Sequence, residues 1–437
     1  MAKEKQNTSR NKSKMALEVS PATPTSIHDI PDKLLEVILR HVTSPRWSIH
    51  AAATCRRWRR IFTGLRFRSN FFHLPPYVAG HYHLLRMPSG GHPTFVPSSP
   101  AMGIDRRHFS LDFLPAGGGK SWKLVDSNRS LLLLAKKKGG WMRHCFPELL
   151  VCEPLTRRHR LIPRPAEMKR HECLGLFLNG YYFNGNNMSH FEVTCVLYES
   201  YTGVSAEVGT IRSCVYRRGR RNVWSWKLGR SAVMDGLHLN LQGKDSLQFV
   251  GRAGTSSFWC IKDERPMRLI CAQYTRCTLA ILPEHIQRLC VDPSAFQFVG
   301  GDDRTEHIAC MDGEYLNLFA RNYLRDGSLE WMLENRLDLR MATRGLPGSK
   351  EEYFRNVSAK IVTVSGRRIV LIPAKEETWL FTVDVGTMRV EPWKMGRSTR
   401  ADGAYYSYEL PWPPRFRACP CQCRRRGQGP CYEICTC

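Results

Sequence analysis

"EPLTRRHRLIP", residues 153–163, ends a strand-like run on Glu153, turns through Thr156 and Arg157, and opens a return run that closes on Pro163. The same plan recurs in "AQYTRCTLAILP" at 272–283, and it is echoed in "ESYTGVSAEVG" at 199–209 and "VDVGTMRVEPW" at 383–393. Working outward, the chain from about residue 70 onward carries many short segments rich in Val, Ile, Leu and aromatic residues. Examples are "SLLLLA", "FEVTCVLYES", "LQFVG", "SFWCI", "HIACM", "KIVTV" and "TWLFTVDV", separated by Gly, Asp, Asn, Pro and Arg clusters. Strands at this spacing predict a large all-β domain, and about 340 residues is too many for one sandwich or small barrel. Trp122, Trp226 and Trp331 each stand two residues before a Leu and are separated by 104 and 105 residues. Two repeats of roughly 50 residues would give that spacing. Paired glycines at 90–91, 139–140 and 300–301 lack the even interval of a kelch array, and the Gly-His and Trp-Asp marks of the other common propeller are missing. The expectation is therefore an irregular β-propeller over residues 70–415.

The N-terminal part has a different period. Residues 1–26 are polar and end in "PATPTS", a composition that buries too little surface to order itself, so a disordered lead is expected. In "IPDKLLEVILRHV", residues 30–42, Leu34, Leu35, Ile38, Leu39 and Val42 recur at three- and four-residue intervals, which predicts one side of an α-helix. Pro31 suits a first turn, and the acidic Asp32 and Glu36 precede the basic Arg40 and His41, in accord with the helix dipole. Pro45 breaks the helix. A second helical segment from Trp47 to Phe62 would turn Ile49, Ala52, Cys55, Trp58, Ile61 and Phe62 inward, with Gly64 as its stop. Residues 27–65 thus read as a small all-α module with more apolar surface than its own core uses.

The formal charge of +26 and pI near 9.7 raise the question of a nucleic-acid or other acidic partner. The basic residues, however, are dispersed in clusters at 56–60, 136–138, 157–160, 217–221 and 424–426, which reads as solvated loops and strand edges. The cluster "RRGRR" at 217–221 combines a hairpin-tip composition with Arg side chains suited to carboxylate or phosphate groups. The first 20 residues hold charges and amides where an export signal needs an apolar core, and "LLLLA" at 131–135 runs straight into lysines. The expectation is a chain inside the cell, in the nucleus, the cytoplasm or both. Most of its 17 cysteines are then expected as reduced thiols.

Residues 30–62 resemble the F-box. That family's pattern opens with an aliphatic-Pro-Asp group, continues through Leu-Leu and Ile-Leu positions, and ends in Cys-Arg-x-Trp-Arg-x-Ile. Here the elements are Ile30-Pro31-Asp32, Leu34-Leu35, Ile38-Leu39, Val42 and Cys55-Arg56-Arg57-Trp58-Arg59-Arg60-Ile61. The opening aliphatic is Ile where Leu is commoner. "LLVCEPLTRRHRLIPRP" at 149–165 and the strand-rich chain after it also look like the F-box-associated β-propeller regions of the large plant F-box families. The resemblance implies a non-catalytic substrate-recognition subunit of an SCF-type ubiquitin ligase. Its F-box would bind a Skp-type adaptor, and through it cullin and RING subunits, while the β domain binds a protein substrate. By family position, adaptor contact falls to Ile30, Pro31, Leu34, Leu35, Ile38, Leu39 and Val42, with Cys55, Trp58 and Ile61 shared between contact and local packing.

The last residues, 416–437, form a basic tail with Cys419, Cys421, Cys423, Cys431, Cys435 and Cys437. Three readings stand: a zinc site, lipid attachment, or free thiols on an unstructured tail. The spacing lacks the Cys-x-x-Cys pairs of common zinc sites, so no cofactor is assigned. The competing function is a basic nucleic-acid-binding regulator, which rests on charge alone, since no helix-turn-helix, zinc-finger or RNA-recognition pattern is present. "GGGK" at 117–120 lacks the remaining spacing of a phosphate loop, and no enzymatic role is expected.

Overall fold

The structure is a computed structural model. It describes residues 27, 29–42, 47, 51, 55–63, 78–84, 93–98, 106–115, 121–136, 146–165, 171–180, 188–200, 208–219, 222–231, 233–234, 237–238, 241–262, 264–290, 293–300, 306–323, 329–354, 359–365, 367–373, 376, 379–393 and 405–410. The chain divides into two compact units, residues 1–74 and 75–437.

The first unit contains α1 (Asp32–Arg40) and α2 (Arg56–Thr63). Pro31 stands just before α1 in an extended conformation, and its carbonyl accepts from the amides of Leu34 and Leu35 at 3.0 and 2.9 Å. It therefore serves as the cap of the helix and not its first turn. Leu35, Leu39, Ala51 and Phe62 are buried. At about 1.5–3 kcal/mol for each fully buried large apolar side chain, these few residues supply a small core. Of the inward positions expected in the second segment, Ile49 and Ala52 lie outside the described residues.

Strand dominates the second unit, in several open sheets, none closed as a barrel. The first sheet has β1 (Val78–Leu84) between β2 (Pro93–Pro97) and the last strand, β26 (Tyr405–Glu409), all antiparallel. The second is a meander of β3 (Trp122–Asn128), β4 (Leu131–Lys136), β5 (Leu149–Glu153) and β6 (Arg158–Ile162). The third is β7 (His171–Asn179), β8 (Glu192–Ser200), β9 (Val208–Arg218) and β10 (Trp224–Ser231). A two-stranded ribbon of β11 (Val233–Met234) and β12 (Leu237–His238) follows, and β13 (Leu241–Gln242) pairs with β9. The fourth meander is β14 (Leu247–Ala253), β15 (Ser256–Ile261), β16 (Arg268–Gln273) and β17 (Arg276–Ile281). The fifth is β18 (Phe296–Gly300), β19 (Glu306–Asp312), β20 (Tyr315–Tyr323) and β21 (Leu329–Asp338). The sixth is β22 (Ala359–Ser365), β23 (Arg368–Pro373), β24 (Phe381–Asp384) and β25 (Arg389–Pro392). One parallel bridge, Gly251 to Phe298, joins β14 to β18.

The apolar run at 131–135 is explained by burial on both faces of β4. Leu131, Leu133 and Ala135 pack with Leu178, Val193 and Leu197 of the third sheet, whereas Leu132 and Leu134 pack with Tyr82, Phe95 and Tyr408 of the first. Cores of the same kind lie between the third and fourth sheets (Val196 and Ile211 with Trp259 and Ile270), the fourth and fifth (Phe258 with Phe298, centroids 3.7 Å apart) and the fifth and sixth (Leu316 and Leu318 with Leu371 and Phe381).

The sequence repeat maps onto a repeated turn. Residues 153–163, 272–283 and 383–393 all connect the third strand of a four-stranded sheet to its fourth. Each turn places a non-glycine residue in the left-handed region: Arg157, Tyr274 and Met388, all with φ 51°. In the first of them the buried Glu153 carboxylate accepts from Ser130 Oγ at 3.2 Å and Thr156 Oγ1 at 2.6 Å. The echo at 199–209 instead connects a second strand to a third. Trp226 and Trp331 both occupy fourth strands, two sheets apart, whereas Trp122 occupies a first strand.

Sulfurs of Cys290 and Cys310 are bonded to each other within the core of the fourth and fifth sheets. Eight other described cysteines take no part in that bond.

Candidate functional site

The amphipathic pattern of α1 divides into two apolar faces. Leu35 and Leu39, four residues apart, are 0% and 2% exposed and form the inner face. Leu34, Val37 and Ile38, at the i, i+3, i+4 spacing of a second stripe, are 57%, 48% and 48% exposed. Ile27 and Trp47 are exposed apolar residues of the same unit. Of the ten adaptor-contact residues assigned by resemblance, Leu34, Ile38 and Pro31 are thus on the surface, and Ile30, Val42, Cys55, Trp58 and Ile61 are half-buried. Leu35 and Leu39 are buried. Val37 was not among the ten, although its spacing from Leu34 and Ile38 was readable in the sequence.

Two helices carry this face, and charges lock them together. Asp32, at the start of α1, receives Arg57 Nε at 2.6 Å on one oxygen and Arg60 Nη2 at 2.7 Å on the other. Arg57 also donates to the Ile30 carbonyl. The guanidinium of Arg57 holds the Asp32 carboxyl below its ordinary value, against the opposing effect of burial and with help from Arg60. On α1 itself, Glu36 pairs with Arg40 at 2.5 Å, and His41 Nδ1 meets the Val37 carbonyl at 2.9 Å. Motif residues that read as a signature in sequence, Ile30, Asp32 and Arg57, are therefore one hydrogen-bonded clamp that fixes the helix entry.

In the second unit, a polar cluster lies where the first strands of several sheets meet. Asp126 follows a β-bulge in β3 and Arg252 follows one in β14, so the extra residue re-aims each side chain. Asp126 Oδ2 accepts from Arg252 Nη1 and from the Leu178 amide, both at 2.6 Å, and its Oδ1 accepts from the Ser127 amide at 2.9 Å. Arg252 Nη2 donates to Asn179 Oδ1 at 2.6 Å, Asn179 Nδ2 donates to Thr194 Oγ1 at 2.7 Å, and the guanidinium stands 4.9 Å over the Phe177 ring. Burial pushes the Asp126 carboxyl up, opposed by Arg252. The donors and acceptors here largely satisfy one another, so the cluster acts as a tie between the second, third and fourth sheets.

The six tail cysteines, 419 to 437, fall outside the described residues, as do Arg220, Arg221 and the "GGGK" stretch. Among the described residues no group of three or more His, Cys, Asp or Glu side chains is placed to hold a metal. Likewise, none of the described helices is long and apolar enough to cross a membrane.

Neither a protein-family profile nor a curated protein matches this sequence. Solved structures do show similarity. One, from a study of two prolyl endopeptidases and the role of inter-domain dynamics in their catalysis and specificity, is 10% identical with a TM-score of 0.34, over 83% of this chain and 52% of that one. AztD from Citrobacter koseri is 9% identical with a TM-score of 0.27, over 67% of this chain and 76% of that one. The present chain spans about half the length of the endopeptidase.

Proposed function

We propose that this protein is a substrate-recognition subunit of an SCF-type ubiquitin ligase, with the helical unit docking on a Skp-type adaptor and the β unit reading a protein substrate. The observation that carries this reading is the division of α1. Leu35 and Leu39 satisfy the local core, while Leu34, Val37 and Ile38 remain exposed as a contiguous stripe. An apolar helical stripe of this kind is buried by laying it into a partner's groove. Adaptor contact is assigned to that outer stripe, with Pro31 and the half-buried Ile30, Val42 and Trp58 at its rim.

The second unit is read as an irregular propeller of six sheets, with β26 completing the first. In support, the strands β26, β3, β7, β14, β18 and β22 neighbour one another in turn. Such a unit supplies inter-strand loops on a rigid support, suited to binding. The receptor's contribution is proximity: it raises the substrate's effective concentration beside a separate conjugating enzyme, and no bond is made or broken by its own side chains.

The test is co-purification with a Skp-type adaptor. Leu34→Asp with Ile38→Asp abolishes capture while the urea unfolding midpoint of the β unit stays unchanged. Adaptor capture as efficient as the parent's by that double variant overturns the assignment.

A further inference from the structure

We propose that the seam between β6 and β10 docks an acidic, extended segment of another protein, which adds as a fifth strand to the open edge of β6. This deepens the reading of the β unit as a recognition unit and rests on it.

Charge is the first observation. Residues 157–164 and the described residues of 217–227 come from neighbouring sheets and together contain seven Lys and Arg and no Asp or Glu. Acidic groups reach only part of this set: Asp112 pairs with Arg157 at 2.7 Å, Glu192 with Arg217 at 3.4 Å, and Glu148, bound by Lys136, also faces Arg164. Arg158, Arg160 and Arg218 are exposed and have no ion-pair partner among the described residues. Charged edge strands ordinarily deter self-association. A deterrent needs one or two cations on one strand, whereas here cations from two sheets, Arg160 of β6 and Arg218 of β9, flank the same Trp224 ring.

The second observation is that the cations are held in place. Arg160 lies 4.8 Å over the Trp224 ring, and its charge also acts on the neighbouring Tyr216 hydroxyl. Trp226 Nε1 donates to the Pro163 carbonyl at 2.7 Å, fastening β10 to the end of β6. Arg218 is directly across from Trp224 in the β9–β10 pairing and so shares its face. A guanidinium already fixed on an aromatic ring loses little freedom when it binds a carboxylate.

The third is the edge itself. Among the described strands β6 pairs only with β5, and Arg158 to Leu161 are exposed along its length. Its outward amides and carbonyls can pair with an incoming strand, as in strand addition to sheet edges. Arg158 and Arg160 point to one face, so acidic residues at every second position of the added strand would meet them. A single-stranded nucleic acid fits less well, because it needs free ring faces for its bases. The Trp224 ring is already packed against Arg160, Tyr216 (5.5 Å, stacked) and Phe191 (4.4 Å).

Fluorescence anisotropy on the full chain tests this, using a labelled peptide of six Glu-Thr repeats, its Gln-Thr and Glu-Pro counterparts, and a labelled 20-mer of oligo-dT. The Glu-Thr peptide binds; Arg158→Ser with Arg160→Ser weakens it at least about tenfold, as expected for two lost charge-assisted hydrogen bonds, and Arg276→Ser does not. The Gln-Thr peptide loses the charge and the Glu-Pro peptide the backbone donors, so both bind weakly. Equal binding by Gln-Thr, or by the seam variant, removes the acidic docking site; equal binding by Glu-Pro removes strand addition; tighter binding by oligo-dT replaces the peptide with nucleic acid. Adaptor capture by the seam variant stays at the parent level, which separates failure of this site from failure of the helical docking face.

Discussion

Arg252 of β14 reaches Asp126 of β3 across 126 residues of sequence, with Nη1 2.6 Å from Oδ2. The same guanidinium holds Asn179 of β7, so one side chain spans three sheets. Replacing Arg252 with Met leaves a largely buried carboxylate unpaired and is expected to cost about 3 kcal/mol of stability. Urea unfolding followed by tryptophan fluorescence measures it. Adding Asp126→Asn recovers part of the loss, since the pair is then removed together. A single-variant cost within error of zero would show the tie to be idle.

Adjacent leucines on α1 should behave in opposite ways. Leu35→Ala opens a cavity in the helical unit and costs about 2–4 kcal/mol. Leu34→Ala, on the exposed stripe, changes stability by no more than about 0.5 kcal/mol. Hydrogen exchange of α1 amides in the full chain distinguishes them: exchange accelerates strongly in the first variant only.

The clamp on Asp32 carries a pH signature. Its carboxyl lies below the ordinary value in the folded unit because Arg57 and Arg60 favour the charged form. The contribution is therefore complete above the unfolded carboxylate range near about pH 4 and is lost as pH falls through the lower folded value. Asp32→Asn removes this part of the acid dependence. Helix protection in the variant should be flatter than in the parent below about pH 4, and an identical acid profile would count against the clamp.

Gly251 marks the point where β14 and β18 approach. Its φ is +108°, and a Cβ there would lie 2.4 Å from the Phe298 carbonyl oxygen. Gly251→Ala is expected to cost about 2 kcal/mol or more through backbone strain and loss of the parallel bridge. Gly313→Ala, where φ is +59° but the Cβ meets nothing within 4 Å, is the milder control, and the difference in urea midpoint isolates the close approach.

Much of this architecture was legible because it is periodic. The three- and four-residue spacing of Leu34, Leu35, Ile38, Leu39 and Val42 gave the helix, and the Glu-Pro-Leu-Thr-Arg turn at 153–157 gave a hairpin, though not its place as the last of its sheet. What was not legible depends on contacts far apart in sequence. The Asp126 and Arg252 pair joins two strands whose local patterns give no sign of each other, and bulges that shift a strand by one residue leave no mark in composition. Within α1, periodicity could not tell Leu34 from Leu35. Both lie on the apolar side of the helix, and only tertiary packing decides that Leu35 is buried while Leu34 is exposed.

The pairing of β26 with β1 has a consequence for synthesis. Val78–Leu84 leaves the ribosome more than 300 residues before Tyr405–Glu409, yet Tyr82, Phe95 and Phe109 complete their aromatic cluster only with Tyr408. Until then one edge of β1 has no strand beside it, open to wrong pairing or to a chaperone. A nascent chain that stalls early thus carries a visible mark of being unfinished, and the last strand acts as a seal that certifies the whole.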